Sequence, residues 1–142
     1  MDSFAPPKYP KCEKDRVQLQ LSLEKWFLTQ NLSPDALQTI IDSMQMKHYK
    51  AGENIINWGE QGEEYFILKS GKCEVIVSHS GSKHLLDNPQ RRNKQLTEGD
   101  GFGEIALLYN EKRTATIRTL SDCKVWVLDG PIFKKIVIKS VV

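Results

Sequence analysis

The pattern of apolar and polar positions changes character twice along the chain. Between Glu13 and Leu28, the residues Val17, Leu19, Leu21 and Leu23 alternate with Gln, Ser and Glu, which is the period of a strand. Val17, Leu21 and Leu28 also share one helical face, and Leu, Gln, Glu and Lys are good helix formers, so the composition favours a helix here. Ser33-Pro34-Asp35 opens a second helix. A serine hydroxyl can cap the first free N–H groups, proline suits the first helical position, and a carboxylate sits well at the positive end of the helix dipole. Leu37, Ile40, Ile41 and Met44 then recur at three-to-four spacing, predicting a helix to about Met46 with one face on a core.

From Lys47 the apolar residues come in short runs: Ile55-Ile56, Tyr65 to Leu68, Cys73 to Val77, Ala115 to Ile117, and Val125 to Leu128. Glycines at 52, 59, 62, 71, 81 and 99 punctuate them. Many short strands with regular turn signals, and no helical crossovers between them, predict an antiparallel sandwich or barrel rather than a parallel sheet. The polar stretch Ser78 to Gln95 reads as a long hairpin connection, or as a basic contact loop through Arg91-Arg92. Asp129-Gly130-Pro131 starts a last helix with Ile132, Phe133, Ile136 and Val137 as its apolar stripe. The expected organisation is an extended lead-in over 1–12, N-terminal helices over 13–46, a β-barrel over 47–129, and a C-terminal helix over 130–142. That helix is expected to be cut short, because Val141-Val142 is still apolar.

Composition narrows the function classes. The 142 residues are 39% hydrophobic and 27% charged, enough for one cored domain without a disulfide or metal. A formal charge of +2 gives no argument for a nucleic-acid or membrane partner, and none is expected. No apolar run approaches the roughly 20 residues of a membrane helix, and Met1 to Pro10 lacks a signal-peptide core. A cytoplasmic location is the expectation. Cys12, Cys73 and Cys123 have neither disulfide-framework nor zinc spacing, and His48, His79 and His84 lack the spacing of a metal site, so no metal is expected. Trp26, Trp58 and Trp126 are read as core or interface aromatics.

One segment carries chemistry: Phe102 to Thr116, FGEIALLYNEKRTAT. Gly99, Gly101 and Gly103 lead into a short helical piece, Glu104 to Tyr109. Glycines let the backbone turn tightly against a ligand, and the N–H groups of Ile105 and Ala106 at the helix start would form an anion site. Arg113 follows within reach, and its planar fork can grip two oxygens of one phosphate. Glu104 makes sense beside a phosphate if the ligand also offers a hydroxyl donor, as a nucleotide sugar does. The plainer alternative is a structural turn with a Glu–Arg ion pair.

The same segment closely resembles the phosphate-binding cassette of cyclic nucleotide-binding domains: Phe-Gly-Glu, an aliphatic-Ala-aliphatic helix, then Arg, Thr or Ala, and Ala-Thr. Gly52-Glu53-Asn54-Ile55-Ile56, Gly59 to Gly62, Tyr65 to Leu68 and Gly71 look like that family's early strands. The resemblance implies an eight-stranded jelly-roll barrel of mainly β structure with flanking helices, and makes Glu13 to Leu28 helical. It implies that Glu104 accepts the ribose 2′-hydroxyl and that Gly103, Ile105 and Ala106 line phosphate and ribose. Arg113 pairs with the exocyclic phosphate oxygens, and Ala115 borders the pocket. The flanks, Tyr9-Pro10-Lys11 with Glu13 and Arg16, and Val125 to Phe133, look like the first cyclic nucleotide domain of cAMP-dependent protein kinase regulatory subunits. Leu108-Tyr109-Asn110 with Arg113-Thr114 looks more like cGMP-dependent kinases, whose threonine can hydrogen-bond the guanine amino group. The expectation is a cyclic nucleotide-binding regulatory module of the cAMP-dependent kinase type, favoured because the flanks match on both sides, with cAMP ahead of cGMP and a protein kinase catalytic subunit or domain as its partner. The family's aromatic lid over the base often lies outside the barrel. An enzyme lacks a second carboxylate or a nucleophile–base pair here. A DNA-binding regulator would need a helix-turn-helix after the barrel, and a channel sensor a preceding membrane domain.

Overall fold

The structure, a computed structural model, describes residues 5–26, 29, 31–77, 94–104 and 112–140. Two helices come first, α1 (Glu13–Glu24) and α2 (Pro34–Ser43). Among the described residues eight strands follow: β1 (Gln45–Tyr49), β2 (Asn54–Ile56), β3 (Glu64–Ser70), β4 (Cys73–Ile76), β5 (Lys94–Leu96), β6 (Gly101–Phe102), β7 (Thr116–Thr119) and β8 (Cys123–Asp129). Helix α3 (Gly130–Ser140) closes the described chain. The strands form two four-stranded sheets, ordered β1-β8-β3-β6 and β2-β7-β4-β5, with every pairing antiparallel. The architecture is mainly β with flanking helices.

Two cores explain the unbroken apolar runs of β3 and β8. Side chains alternate across a strand. Phe66, Leu68, Phe102, Val125 and Val127 face the second sheet and pack with its Ile56, Leu96 and Ile117. Tyr65, Ile67, Trp126 and Leu128 face the helices instead. A strand covered on both sides reads as continuous hydrophobicity, whatever its partners' direction. Cys73 and Cys123, fifty residues apart, meet in the inter-sheet core with sulfurs 3.7 Å apart as free thiols. Burial, with the neighbouring thiol, pushes Cys73 up to about 12.

The helices differ from expectation in two details. The buried face of α1 runs through Leu19 and Leu23 and on to Trp26, whereas Val17 is 47% and Leu21 55% exposed. The predicted Val17–Leu21 face is therefore the outer one, and Leu28 lies outside the described residues. Trp26 decides the matter: it stacks on Tyr65 of β3 at 4.2 Å, 11° from parallel, and draws its own side of the helix onto the sheet. Helix α2 begins as predicted, with the Ser33 hydroxyl accepting from the Ala36 N–H at 3.1 Å, but it ends at Ser43 rather than Met46. Gln45 and Met46 already pair with Val127 and Trp126 of β8, so sheet pairing overrides helical period there. Residues 5–12 belong to no helix or strand and are fastened to the end of α2. The Tyr9 N–H donates to the Asp42 carbonyl at 2.8 Å, and Arg16 pairs with the Asp42 carboxylate at 2.5 Å.

Of the polar 78–95 stretch, residues 78–93 lie outside the described residues, and Lys94 and Gln95 belong to β5 rather than to a loop. Trp26 and Trp126 are core aromatics, but Trp58 is 49% exposed in the β2–β3 turn. Among the described residues, no helix is long and apolar enough to cross a membrane, and no three His, Cys, Asp or Glu side chains gather as a metal site would require.

Candidate functional site

Arg113 is held from both ends. Its main chain is clamped to the β2–β3 turn: the Gly59 N–H donates to the Arg113 carbonyl and the Arg113 N–H donates to the Glu60 carbonyl, both at 2.8 Å. Its side chain turns inward. Nη2 donates to the Glu64 carbonyl at 2.9 Å and Nη1 to the Gly103 carbonyl at 3.2 Å, with the guanidinium carbon 5.9 Å from the centre of the Phe66 ring. Two glycines make this path possible. A Cβ on Gly62 would stand 2.6 Å from Nη2 and 2.7 Å from the guanidinium carbon, closer than side chains approach. Gly103 has φ +87, which other residues rarely adopt, and a Cβ there would press on Nη1 at 3.0 Å.

The electrostatic consequence is an under-neutralised cation. Arg113 is half buried, and desolvation lowers its pKa, with Glu64 opposing the shift. Among the described residues it has no carboxylate within ion-pair distance; Arg16–Asp42, Lys47–Glu64 and Lys69–Asp15 are ion pairs elsewhere. The Glu–Arg ion pair of the plainer sequence reading is therefore absent among them. Two of the five guanidinium N–H groups go to main-chain carbonyls, which carry no charge to balance the arginine. A half-buried cation in this position would favour an anion beside it.

That guanidinium opens onto a cleft of about 240 Å³ between β6, β7 and the strands beside them. Gly103, Glu104, Arg113, Thr114 and Ala115 all line it, so the structure gathers every described residue of the predicted site into one concavity. Ile105 and Ala106, and the helical piece predicted over Glu104–Tyr109 beyond its first residue, lie outside the described residues. Ile56, Val75, Leu96 and Ile117 give the cleft an apolar floor. An apolar surface beside cationic groups and the Glu104 carboxylate suits a small ligand with a flat apolar part, an anion and a hydroxyl.

Sequence reasoning missed Gly62, Lys94 and Lys112. Gly62 was legible as a turn residue but not as the gap through which Arg113 passes. Lys94 was hidden in a stretch read as a connection, and Lys112 was overshadowed by its neighbour; both line the cleft.

The family model described as "Cyclic nucleotide-binding domain" matches residues 46–140. A cAMP-dependent protein kinase regulatory subunit from Aspergillus fumigatus is 34% identical over 98% of this chain and 34% of its own length. A solved cAMP-bound chain, PfPKA-R (141-441), superposes with TM-score 0.79 and 31% identity, covering 96% of this chain and 46% of that one. The regulatory domain of Toxoplasma gondii PKA, solved with cAMP, gives TM-score 0.75 and 35% identity, covering 90% and 46%. The chain spans between 30% and 40% of the length of the curated relatives it matches.

Proposed function

The chain belongs to the cyclic nucleotide-binding domain family, and from that premise we propose that its cleft holds a 3′,5′-cyclic nucleotide, cAMP ahead of cGMP, as the regulatory domain of a cyclic nucleotide-dependent protein kinase. The observation that carries the reading is Arg113, a half-buried arginine without a carboxylate partner among the described residues, lining the cleft that Glu104 also lines. In this reading Arg113 pairs with the exocyclic phosphate oxygens. Glu104 accepts the ribose 2′-hydroxyl, and Gly103, Ile105, Ala106 and Ala115 border phosphate and ribose. The similarity to cAMP-dependent regulatory subunits supports cAMP. Thr114 on the cleft wall supports cGMP as the second reading, because its hydroxyl suits the guanine amino group.

Side-by-side titration with the two nucleotides tests the reading. Arg113→Ala should weaken both by about 1.5–3 kcal/mol, roughly ten- to a hundredfold, because a charge-assisted pair is lost. Unchanged affinity for both would place the site elsewhere. Thr114→Ala should weaken cGMP more than cAMP; an equal effect would remove base reading from Thr114.

Occupancy would reach a kinase catalytic subunit or domain through α3. A packed aromatic path supports this. Gly101 lines the cleft, and a Cβ there would overlap the Tyr65 hydroxyl. Tyr65 stacks on Trp26, and Trp26 lies 5.5 Å from Phe133 of α3. A nucleotide that shifts β6 would thus bias the seat of α3. Hydrogen exchange of residues 130–140 should slow or quicken on saturation with nucleotide. Identical exchange in both states would exclude α3 as the relay.

A further inference from the structure

The cleft carries more positive charge than a cyclic monophosphate requires. Among the described residues, Lys94, Lys112 and Arg113 line it against the single carboxylate of Glu104. Arg113 is committed to the depth of the site, bonded to the Glu64 and Gly103 carbonyls. The two lysines sit on separate elements. Lys94 of β5 is the cross-strand partner of Val75, which in turn pairs with Ile117. Cross-strand partners share a face of the sheet, and Val75 and Ile117 both line the cleft, so the Lys94 side chain rises from the cleft side of that sheet. Lys112 stands next to Arg113, its main chain bridged to Gln61. Both lysines are exposed, and neither makes an ion pair among the described residues.

We propose that Lys94 and Lys112 form an electrostatic entrance that captures the nucleotide anion before Arg113 seats it. This rests on the cyclic nucleotide reading of the cleft. Exposed lysine ammonium groups are mobile, hydrated point charges, poor at fixing geometry and effective at long range. Their contribution therefore falls on association rather than dissociation, and fades when salt shortens the reach of the field. It is indifferent to the base, because the charge it acts on is the phosphate.

Stopped-flow binding of fluorescent cAMP and cGMP analogues to Lys94→Gln, Lys112→Gln and the double variant, at low and high salt, tests this. The double variant should associate roughly tenfold more slowly at about 20 mM salt, with each single variant intermediate, and should match the unaltered protein near 0.5 M. Dissociation rates should stay within about twofold, and cAMP and cGMP should respond alike. Unaltered association at low salt, a loss carried by faster dissociation, or a loss confined to one base would each overturn the entrance. These outcomes are separable from failure of the underlying reading, in which the unaltered protein would bind neither nucleotide.

Discussion

At the scale of single residues, Arg113 shows what a sequence motif leaves unsaid. The residue type and its place after a glycine-rich turn announced an anion-binding group. The motif did not show that the side chain must cross the backbone at Gly62 to reach its position. Because the atoms a Cβ would strike are the far end of a flexible arginine, Gly62→Ala can be relieved by moving the guanidinium instead of the fold. The substitution should therefore cost little stability, within about 0.5 kcal/mol. It should weaken cyclic nucleotide binding by about 1 kcal/mol or more, as Arg113 is pushed off its line. Denaturation midpoint and nucleotide titration on the same sample check both halves; a large stability loss with intact affinity would show that the glycine serves the turn and not the arginine.

At the scale of elements, legibility followed how much of an element's stability is local. Caps are local. Ser33 was read correctly as the start of α2, and Asp129 caps α3, its carboxylate accepting the Ile132 N–H at 3.0 Å. Asp129→Ala should cost about 0.5–2 kcal/mol and speed exchange of the first-turn amides of α3. Thermal denaturation and hydrogen exchange measure the two, and an unchanged first turn would mean that the packing of Phe133 and Ile136 alone sets the helix. Strands β3 and β8 were legible because both faces are buried. Strands β1, β5 and β6 were not. Gln45–Tyr49 has mostly exposed or half-exposed side chains and exists through its five-residue register with β8. Lys94–Leu96 has one buried side chain, and Gly101–Phe102 has only two residues. Such edges are made by partners distant in sequence, and no local period records them. The α1 face failed for the same reason: Val17–Leu21 and Leu19–Leu23 are both four residues apart, and only the Trp26–Tyr65 stack tells the inside from the outside.

At the scale of the whole molecule, the helices, the helix-facing core and the cleft meet at Tyr65. Its ring is 4% exposed and stacked on Trp26, its hydroxyl lies against Gly101, and burial holds the phenol well above its ordinary value of 10.0, with Glu104 and Asp100 adding to the shift. The fold thus favours the neutral phenol. Below pH 10 the group is neutral in both folded and unfolded chains, and its contribution is fully present. Above pH 10 the unfolded chain releases the proton while the folded chain keeps it, so stability falls by about 1.4 kcal/mol per pH unit for this one proton. Tyr49 and Cys73 are also shifted upward, so alkaline loss has more than one source. Tyr65→Phe separates them, since it keeps the ring on Trp26 and removes only the ionisable group. Urea midpoints at pH steps from 8 to 11 should fall more steeply for the unaltered protein than for Tyr65→Phe, with the curves diverging only above about pH 10. Parallel curves would mean that the Tyr65 phenol ionises freely in the folded state, and hence that the wall between the cleft and the helices is open to water. The seal that makes Tyr65 costly to ionise is the same packing that would carry a displacement of Gly101 to Trp26 and Phe133.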